Sequence, residues 1–378
     1  MKKILILSVS QYHSAKQYEA TITYKIHCGL NKAYSLTNYA FFDKDTLIQH
    51  PFNEVGLIPV YLPFKWSGKV RKLLNILFMY YKNLDILLKQ IRNHDLVWIG
   101  LTSSITNSFV FLFPLIFSPG KFYVQLFTPS VRKSKIQRDV LDSIVRFNLR
   151  FFRYIGGGIS KSTLERYKVP AKKNIPAYVG MPDYGFAMKS FNNLRLVYIG
   201  TLQGREVWKS VEGFGLFRQK NPTLSITYDI IGRGPQDEID KLSGMIDKFN
   251  LSSVVKYHGP LSIDEVRNVF HGCNIGVSYA PITEYYQNPS TKTIEYFLAG
   301  MAVISTNIEV LRKFVTPEVG VLCSDNAEGF AIGLEKLYAA RNQFDSEYIR
   351  NKFKDYSIEN VMKQNYLPYL EQIMNQPK

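Results

Sequence analysis

Cysteine is scarce in this chain, and the three present, Cys28, Cys273 and Cys323, stand far apart with no paired spacing. They give no sign of a disulfide framework or a cysteine metal site, and a reducing compartment is expected. Long hydrophobic runs are lacking as well. The most apolar segment, FVFLFPLIF (109–117), falls far below the ~20 residues that cross a bilayer. The opening MKKILILSVSQYHS imitates a secretory leader, but its apolar run is short, turns polar at Ser8 and has no small-residue cleavage pattern. A first buried strand explains it better. Short repeats and low-complexity tracts are absent. No metal-ligand cluster such as a D-x-D at a strand end is read from the sequence, and no metal or other cofactor is expected. Acidic residues are scarce in one half only. Residues 1–180 hold 26 Lys+Arg against 9 Asp+Glu, whereas residues 181–378 hold 21 against 22. The net charge of +16 therefore resides in the first half. That placement predicts a basic domain facing something anionic, with nucleic acid and an acidic membrane surface as the candidates.

What is present is enough apolar material for two cores. At 378 residues the chain exceeds one typical core, and with 46% apolar and 14% aromatic residues it is globular. KILILSV (3–9), HDLVWIGL (94–101), KFYVQLF (121–127) and YIGGGIS (154–160) read as buried strands, with EATITYKIHCGLNKA (19–33) as a helix. The pattern restarts at LRLVYIGTL (194–202). It continues through the strands LSITYDIIG (224–232), VVKYHG (254–259), NIGVSYA (274–280) and MAVIST (301–306), with helices between. Repeated βα units of this kind predict an α/β protein: two Rossmann-like doubly wound domains in series, facing a cleft. The boundary is expected in AYVGMPDYGFAMKSFNN (177–193), where Pro, Gly and Asn interrupt periodicity. Residues 1–180 form the first domain, 181–355 the second, and 356–378 a C-terminal helix packing back toward the first.

Ligands of open α/β sheets bind outside the carboxyl ends of the strands, and three such ends in the second half carry suitable residues. After LVYIG comes TLQGREVWKS, with Arg205 and Lys209 spaced to share a helical face. After YDII comes GRGPQDE, a glycine turn where backbone approaches a base or phosphate closely. After GVSYA the chain reaches NPSTKTIEYFLAG, a helix that Asn288 or Ser290 caps and Pro289 opens, with Lys292 and Glu295 one turn apart. Helix N-terminal N–H groups attract anions, Arg205, Lys209 or Lys292 would neutralise a diphosphate, and Glu295 would accept hydrogen bonds from ribose hydroxyls. Each part has a plainer reading: solvated surface charges for Arg205 and Lys209, a simple turn for GRGP, a surface ion pair for Lys292 and Glu295. Their conjunction after strands of one sheet favours the nucleotide.

Together LVYIGTLQGRE, YDIIGRGP, VKYHGPLSIDEVRNVFHGCNIGVSYAP and NPSTKTIEYFLAGMAVIST resemble the donor half of GT-B fold retaining glycosyltransferases of family 4, the glycosyl transferases group 1. The resemblance covers residues 194–335, and YSIENVMKQNY (356–366) also fits. It implies that Glu295 binds the ribose of a nucleotide sugar and that Arg205 and Lys209 or Lys292 hold the diphosphate leaving group, with Arg205, Lys209, Lys292 and Glu295 as the catalytic set. It further implies that backbone near Gly232 and Tyr257 seats the base, and that Thr201, Arg233, Gln287, Ser290 and Thr291 complete the donor site. Retention without a protein nucleophile and without a metal is implied too. At the position of the family's first glutamate this chain has Gln287, with Glu284 three residues before it, so the donor-sugar contact loses its negative charge. The first domain has SVSQYHSAKQYE in place of a glycine-rich loop and VQLFTPSVRKSK where a catalytic histidine is common. His13 is the nearest substitute.

The segment KWSGKVRKLLNILFMYYKNLDILLKQIR (65–92) interleaves cations with Trp66, Leu, Ile, Phe and Tyr, as an interfacial helix does, and packing on the sheet explains its apolar residues equally well. With RKSKIQR (132–138) it favours a cytoplasmic enzyme peripheral to the inner face of the membrane. The expected reaction moves a sugar, UDP-sugar favoured, to a glycan or lipid-linked acceptor in bacterial surface polysaccharide (lipopolysaccharide, O-antigen or capsule) synthesis. The alternatives are a basic nucleic-acid-binding protein, which lacks any zinc-finger or RNP-type signature here, and a catalytically weak carbohydrate-binding scaffold on the same fold.

Overall fold

Buried strands must pair their backbone N–H and C=O groups, and in a computed structural model of the chain they do so in two all-parallel sheets. The structure describes residues 1–12, 22–46, 52–64, 68–101, 104–126, 134–157, 165–170, 174–176, 180–282 and 291–376. It divides into two compact units, Met1–Gly180 with Ile358–Lys378, and Met181–Ser357.

The first unit runs β1 (Lys3–Tyr12), α1 (Ile22–Asn31), β2 (Ser35–Phe42), β3 (Leu57–Tyr61), α2 (Lys69–Gln90), β4 (Leu96–Leu101), β5 (Phe122–Leu126), α3 (Lys135–Leu149), β6 (Tyr154–Gly157) and β7 (Asn174–Pro176). The sheet order is β3-β2-β1-β4-β5-β6-β7. The apolar runs became β1, β4, β5 and β6, while β2, β3 and β7 lack such runs and were not foreseen. β2 reads SLTNYAFF, and its Asn38 is buried with its amide 3.2 Å from His27 Nδ1. β3 contains Pro59, which an edge strand tolerates because one side of its ladder has no partner. A D-x-D does occur in the sequence, Asp43-Lys44-Asp45, directly after β2; there the Asp43 carboxylate accepts a hydrogen bond from Gln11.

One face of this sheet is covered by α1 and by the C-terminal run Ile358–Met374. That run contains a π turn, Met362–Tyr366, just before Pro368, whose missing N–H breaks the regular ladder. Tyr366 stacks on Trp98 at 5.8 Å between ring centroids, and Met362 lies against Gly29, where a Cβ would come within 2.9 Å.

The second unit runs β8 (Leu194–Ile199), α4 (Val207–Lys220), β9 (Ile226–Ile231), α5 (Gln236–Lys248), β10 (Val255–Gly259), α6 (Ile263–Gly272), β11 (Ile275–Ser278), α7 (Thr291–Leu298), β12 (Ala302–Thr306), β13 (Gly320–Cys323), α8 (Ala327–Ala340) and α9 (Ser346–Phe353). The order β10-β9-β8-β11-β12-β13 reverses direction between β8 and β11, which is the topological switch point of a doubly wound sheet. These two strands pair only at Ile275 with Leu196 and Gly276 with Val197. Beyond that the strands part and Tyr296 of α7 fills the opening. Its hydroxyl accepts the Ile199 N–H at 2.9 Å and donates to the Val277 carbonyl at 3.2 Å. Its ring lies on Gly276, where a Cβ would sit 2.1 Å away.

Further contacts hold α7 in place. Thr293 and Ser278 share a hydrogen bond of 2.8 Å. Phe297 stacks on Phe353 of α9 at 4.1 Å, and Arg350 caps the Leu298 carbonyl while pairing with Asp183 at 2.7 Å. Gly300 ends the helix with φ +75, the left-handed conformation glycine adopts at low cost.

Removing only the bridging hydroxyl with Tyr296→Phe should leave a buried N–H and a buried carbonyl short of a partner and destabilise the protein by about 1–3 kcal/mol. Urea unfolding monitored by circular dichroism measures this; an unchanged midpoint would contradict the bridge.

Candidate functional site

Three adjacent strands of the second unit end on glycine in positive φ: Gly200 (φ 142) after β8, Gly232 (φ 148) after β9 and Gly259 (φ 68) closing β10. Their backbones are laced together. Gly200 N–H donates to the Ile231 carbonyl at 3.0 Å, Gly232 N–H to Gly259 at 2.9 Å, and Leu202 N–H to Arg233 at 2.9 Å. A Cβ on Gly232 would fall 1.8 Å from the Gly200 carbonyl oxygen. Glycine is therefore required there by contact as well as by conformation. Tyr257 Oη donates to the Gly232 carbonyl at 3.0 Å, and Tyr198 Oη to the Thr201 carbonyl at 2.7 Å. Thr201 and Arg233 are exposed on this floor, and Tyr257 is half-buried.

Beside it stands the first turn of α7. Lys292 Nζ lies 3.8 Å from the centroid of the Tyr198 ring, a cation–π geometry, and against Gly200, where a Cβ would be 3.5 Å away. Burial, and then the neighbouring Arg205 guanidinium, hold the Lys292 ammonium well below its ordinary pKa, while Glu295 opposes that shift. Lys292 thus feels the charge of both Arg205 and Glu295. Glu295 is half-buried, and its carboxylate, after burial itself, helps push the Tyr184 phenol up. Thr291 is exposed as the first residue of α7.

Lys209, in the first turn of α4, pairs with Glu206 at 2.7 Å. Glu206 occupies the N-cap with φ 49, a left-handed conformation for a non-glycine residue. That ion pair, and more weakly Asp325, raise the Lys209 pKa. Asp325 follows β13, accepts from Tyr279 Oη at 2.8 Å and from the Ile282 N–H at 2.7 Å. It thereby ties the carboxyl ends of β11 and β13. Burial, then Asp325, push the Cys323 thiol up to about 12. Burial, then Asp229, push Cys273 likewise to about 12. Both are held as thiols rather than nucleophilic thiolates.

The structure therefore brings Arg205, Lys292 and Glu295 together beside the floor formed by Thr201, Gly232, Arg233 and Tyr257, with Lys209 engaged by Glu206. Gln287, Ser290 and His13 lie outside the described residues, as do Glu284, Asn288 and Pro289. Sequence reasoning missed Tyr198, Tyr296, Tyr279 and Asp325. The first two follow a visible rule, a tyrosine one or two residues before a strand-end glycine and another in the helix that fills the crevice. Asp325 has only its place after a strand to mark it. Among the described residues no three His, Cys, Asp or Glu side chains gather into a group able to hold a metal ion.

Residues 193–340 match the model of the family described as glycosyl transferases group 1. A comparison with curated protein sequences returns no match. Solved structures share the fold over the whole length. A sucrose-phosphate synthase from Thermosynechococcus elongatus is 14% identical with a TM-score of 0.73, each chain covered at 100%. HepE of Anabaena, in complex with UDP and glucose, is 12% identical with a TM-score of 0.66, over 98% of this chain and 100% of its own. The apo form of the lipopolysaccharide outer core galactosyltransferase WaaB is 15% identical with a TM-score of 0.64, over 98% of this chain and 99% of its own.

Gly232→Ala should destabilise the protein by roughly 2 kcal/mol or more, through strain at positive φ and the clash with Gly200. Gly244→Ala, in open space on α5, should stabilise by roughly 0.5–1 kcal/mol. Thermal melts of the two variants check the contrast, and equal behaviour would contradict the floor described above.

Proposed function

We propose that this protein, through its group 1 glycosyl transferase region at residues 193–340, moves a sugar with retention from a nucleotide-diphosphate sugar to a glycan or lipid-linked acceptor. The observation that carries this reading is the meeting, at one topological switch point, of a glycine floor with Arg205, Lys292 and Glu295. The floor admits a flat base near Gly232, Arg233 and Tyr257. Glu295 accepts hydrogen bonds from ribose hydroxyls, and Thr201 and Thr291 supply further polar contacts.

Arg205, Lys292 and the N-terminus of α7 meet the diphosphate, joined by Lys209 if it leaves Glu206. Negative charge grows on that diphosphate as the glycosidic bond breaks, so cations fixed there before the reaction stabilise the transition state. The acceptor attacks from the face the nucleotide leaves, with no protein nucleophile, and the reading needs neither metal nor cofactor. UDP is favoured as the carrier, supported by the complex of the HepE relative with UDP and glucose. A role in bacterial surface polysaccharide synthesis is supported by the WaaB relative. The basic first half suits a protein peripheral to the cytoplasmic face of the membrane.

A thermal-shift screen against UDP, GDP, ADP and their sugars should single out one base, since ligand bound to the folded state raises its stability. With that donor, Lys292→Met and Glu295→Ala should each lower kcat/KM by roughly 10²–10³. Absence of any shift and of any sugar release from all donors would overturn the proposal.

Binding should also be coupled to a proton. Without ligand the Lys292 ammonium is held below its ordinary pKa, and a diphosphate beside it restores the charge. Complex formation therefore takes up a proton in the pH window between the free and bound pKa values, and affinity falls as pH rises through it. Calorimetry in buffers of differing ionisation enthalpy should detect the uptake, and Lys292→Arg should abolish it. An uptake unchanged in that variant would exclude Lys292 as its source.

A further inference from the structure

Helix α2 buries two asparagines and leaves a row of apolar side chains exposed. Among its buried residues are Asn75 and Asn83, 0% and 1% exposed. Asn75 Nδ2 donates to the Phe64 carbonyl at 2.9 Å while its Oδ1 accepts the Phe64 N–H at 3.3 Å, and Asn83 Nδ2 donates to the Ser8 carbonyl at 3.0 Å. These amides, with Met79, Ile86 and Leu87, fasten the helix to its own unit. On the other side Val70, Leu73, Leu74, Leu77, Tyr81 and Leu88 are exposed, Val70 by 71% and Leu88 by 65%. At about 100° per residue these six form one stripe along the length of the helix. Packing on the sheet accounts for the buried side and leaves the stripe unexplained.

The stripe does not end with α2. Tyr80 packs edge-on against Phe109 at 5.7 Å, and Phe111 against Phe147 of α3 at 5.0 Å. α2, the 110–113 segment and α3 share one core on the same sheet face. The outer side of this layer adds Leu115, Ile136 and Val140, exposed by 59%, 77% and 55%. Cations border the apolar stripe. Arg71, Lys82 and Lys89 follow one edge of α2 and Lys69 the other, Lys89 pairing with Asp85 at 2.7 Å.

We propose that this outward face of α2, continued by α3, docks on an anionic lipid bilayer. Leu73, Leu77, Tyr81 and Leu88 enter the headgroup and acyl boundary while the bordering cations meet lipid phosphates. Charge selects the occupant. A second copy would bring two strongly basic halves face to face. Nucleic acid would neutralise the cations but leave the aliphatic stripe in water. An anionic bilayer satisfies both parts of the surface. The helix lies on the bilayer rather than through it, because no described helix is long and apolar enough to cross a membrane. Lys65, Trp66 and residues 127–133, which extend the sequence pattern, lie outside the described residues.

The proposal deepens the lipid-linked acceptor reading above, and its test is independent of the donor site. The full-length protein is floated with vesicles of phosphatidylcholine alone and of phosphatidylcholine with phosphatidylglycerol. It should rise only with the anionic vesicles, and the double variant Leu77→Ser/Leu88→Ser should lose roughly tenfold or more of the bound fraction. Circular dichroism and the urea unfolding midpoint of that variant should remain close to those of the parent, which reports an intact fold whether or not lipid binds. Separately, Leu77→Trp should show blue-shifted fluorescence on adding the anionic vesicles. A parent protein that stays in the soluble fraction overturns the proposal, as does flotation unaffected by the serine variant, which would leave charge alone at work. A dimer in lipid-free buffer that the serine variant dissociates, or a nucleic-acid gel shift that it abolishes, would reassign the face to that partner.

Discussion

The crevice between β8 and β11 exists because the sheet reverses its winding there, and the Tyr296 hydroxyl makes that reversal tolerable. Two diverging parallel strands expose backbone groups that neither can satisfy for the other. One phenol serves both, taking the Ile199 N–H and giving to the Val277 carbonyl. The same contact fixes α7 in depth and rotation, so that Lys292, one helical turn earlier, meets Tyr198 and Gly200. Glu295, adjacent to the bridge, cannot turn independently of it. Stability of the crevice and placement of its charges are one problem with one solution.

The glycine floor obeys a related constraint. Three neighbouring strands end at one level, and their turns hydrogen-bond across one another with no room for side chains between them. Side chains would separate the turns and lift any flat ligand off the floor. A cation in this half-enclosed place is costly to keep charged, and the depressed pKa of Lys292 expresses that cost. An anion beside it would offset that cost, at the expense of the proton the lysine must then take up.

The two units use their surfaces differently. The second keeps its charges near balance and concentrates its chemistry at strand ends. The first carries the positive excess and turns aliphatic residues outward along α2, fastening that helix inward with two asparagines. A helix normally hides its apolar stripe, and polar residues at buried positions require specific partners. That α2 buries Asn75 and Asn83 beside Met79, Ile86 and Leu87 while exposing a second apolar row is a property of placement, not of composition.

Much of this was legible in the residues. Runs such as LVYIG and NIGVSYA announce buried parallel strands because both their faces are covered. The recurrence of strand, glycine turn and helix announces a doubly wound unit and locates its ligand side. Arg205, Lys292 and Glu295 stood out because each follows a strand end at helical spacing. β2, β3 and β7 were invisible because their polar residues and Pro59 are acceptable only once neighbouring strands and an edge position are known. The Tyr296 bridge, the cation–π contact of Lys292 and the reach of Asp325 to Tyr279 join residues distant in sequence, so no local pattern encodes them. For α2 the sequence determined that apolar and basic residues alternate; only the folded unit decided which side faces out, because burying Asn75 and Asn83 depends on backbone partners supplied by Phe64 and Ser8.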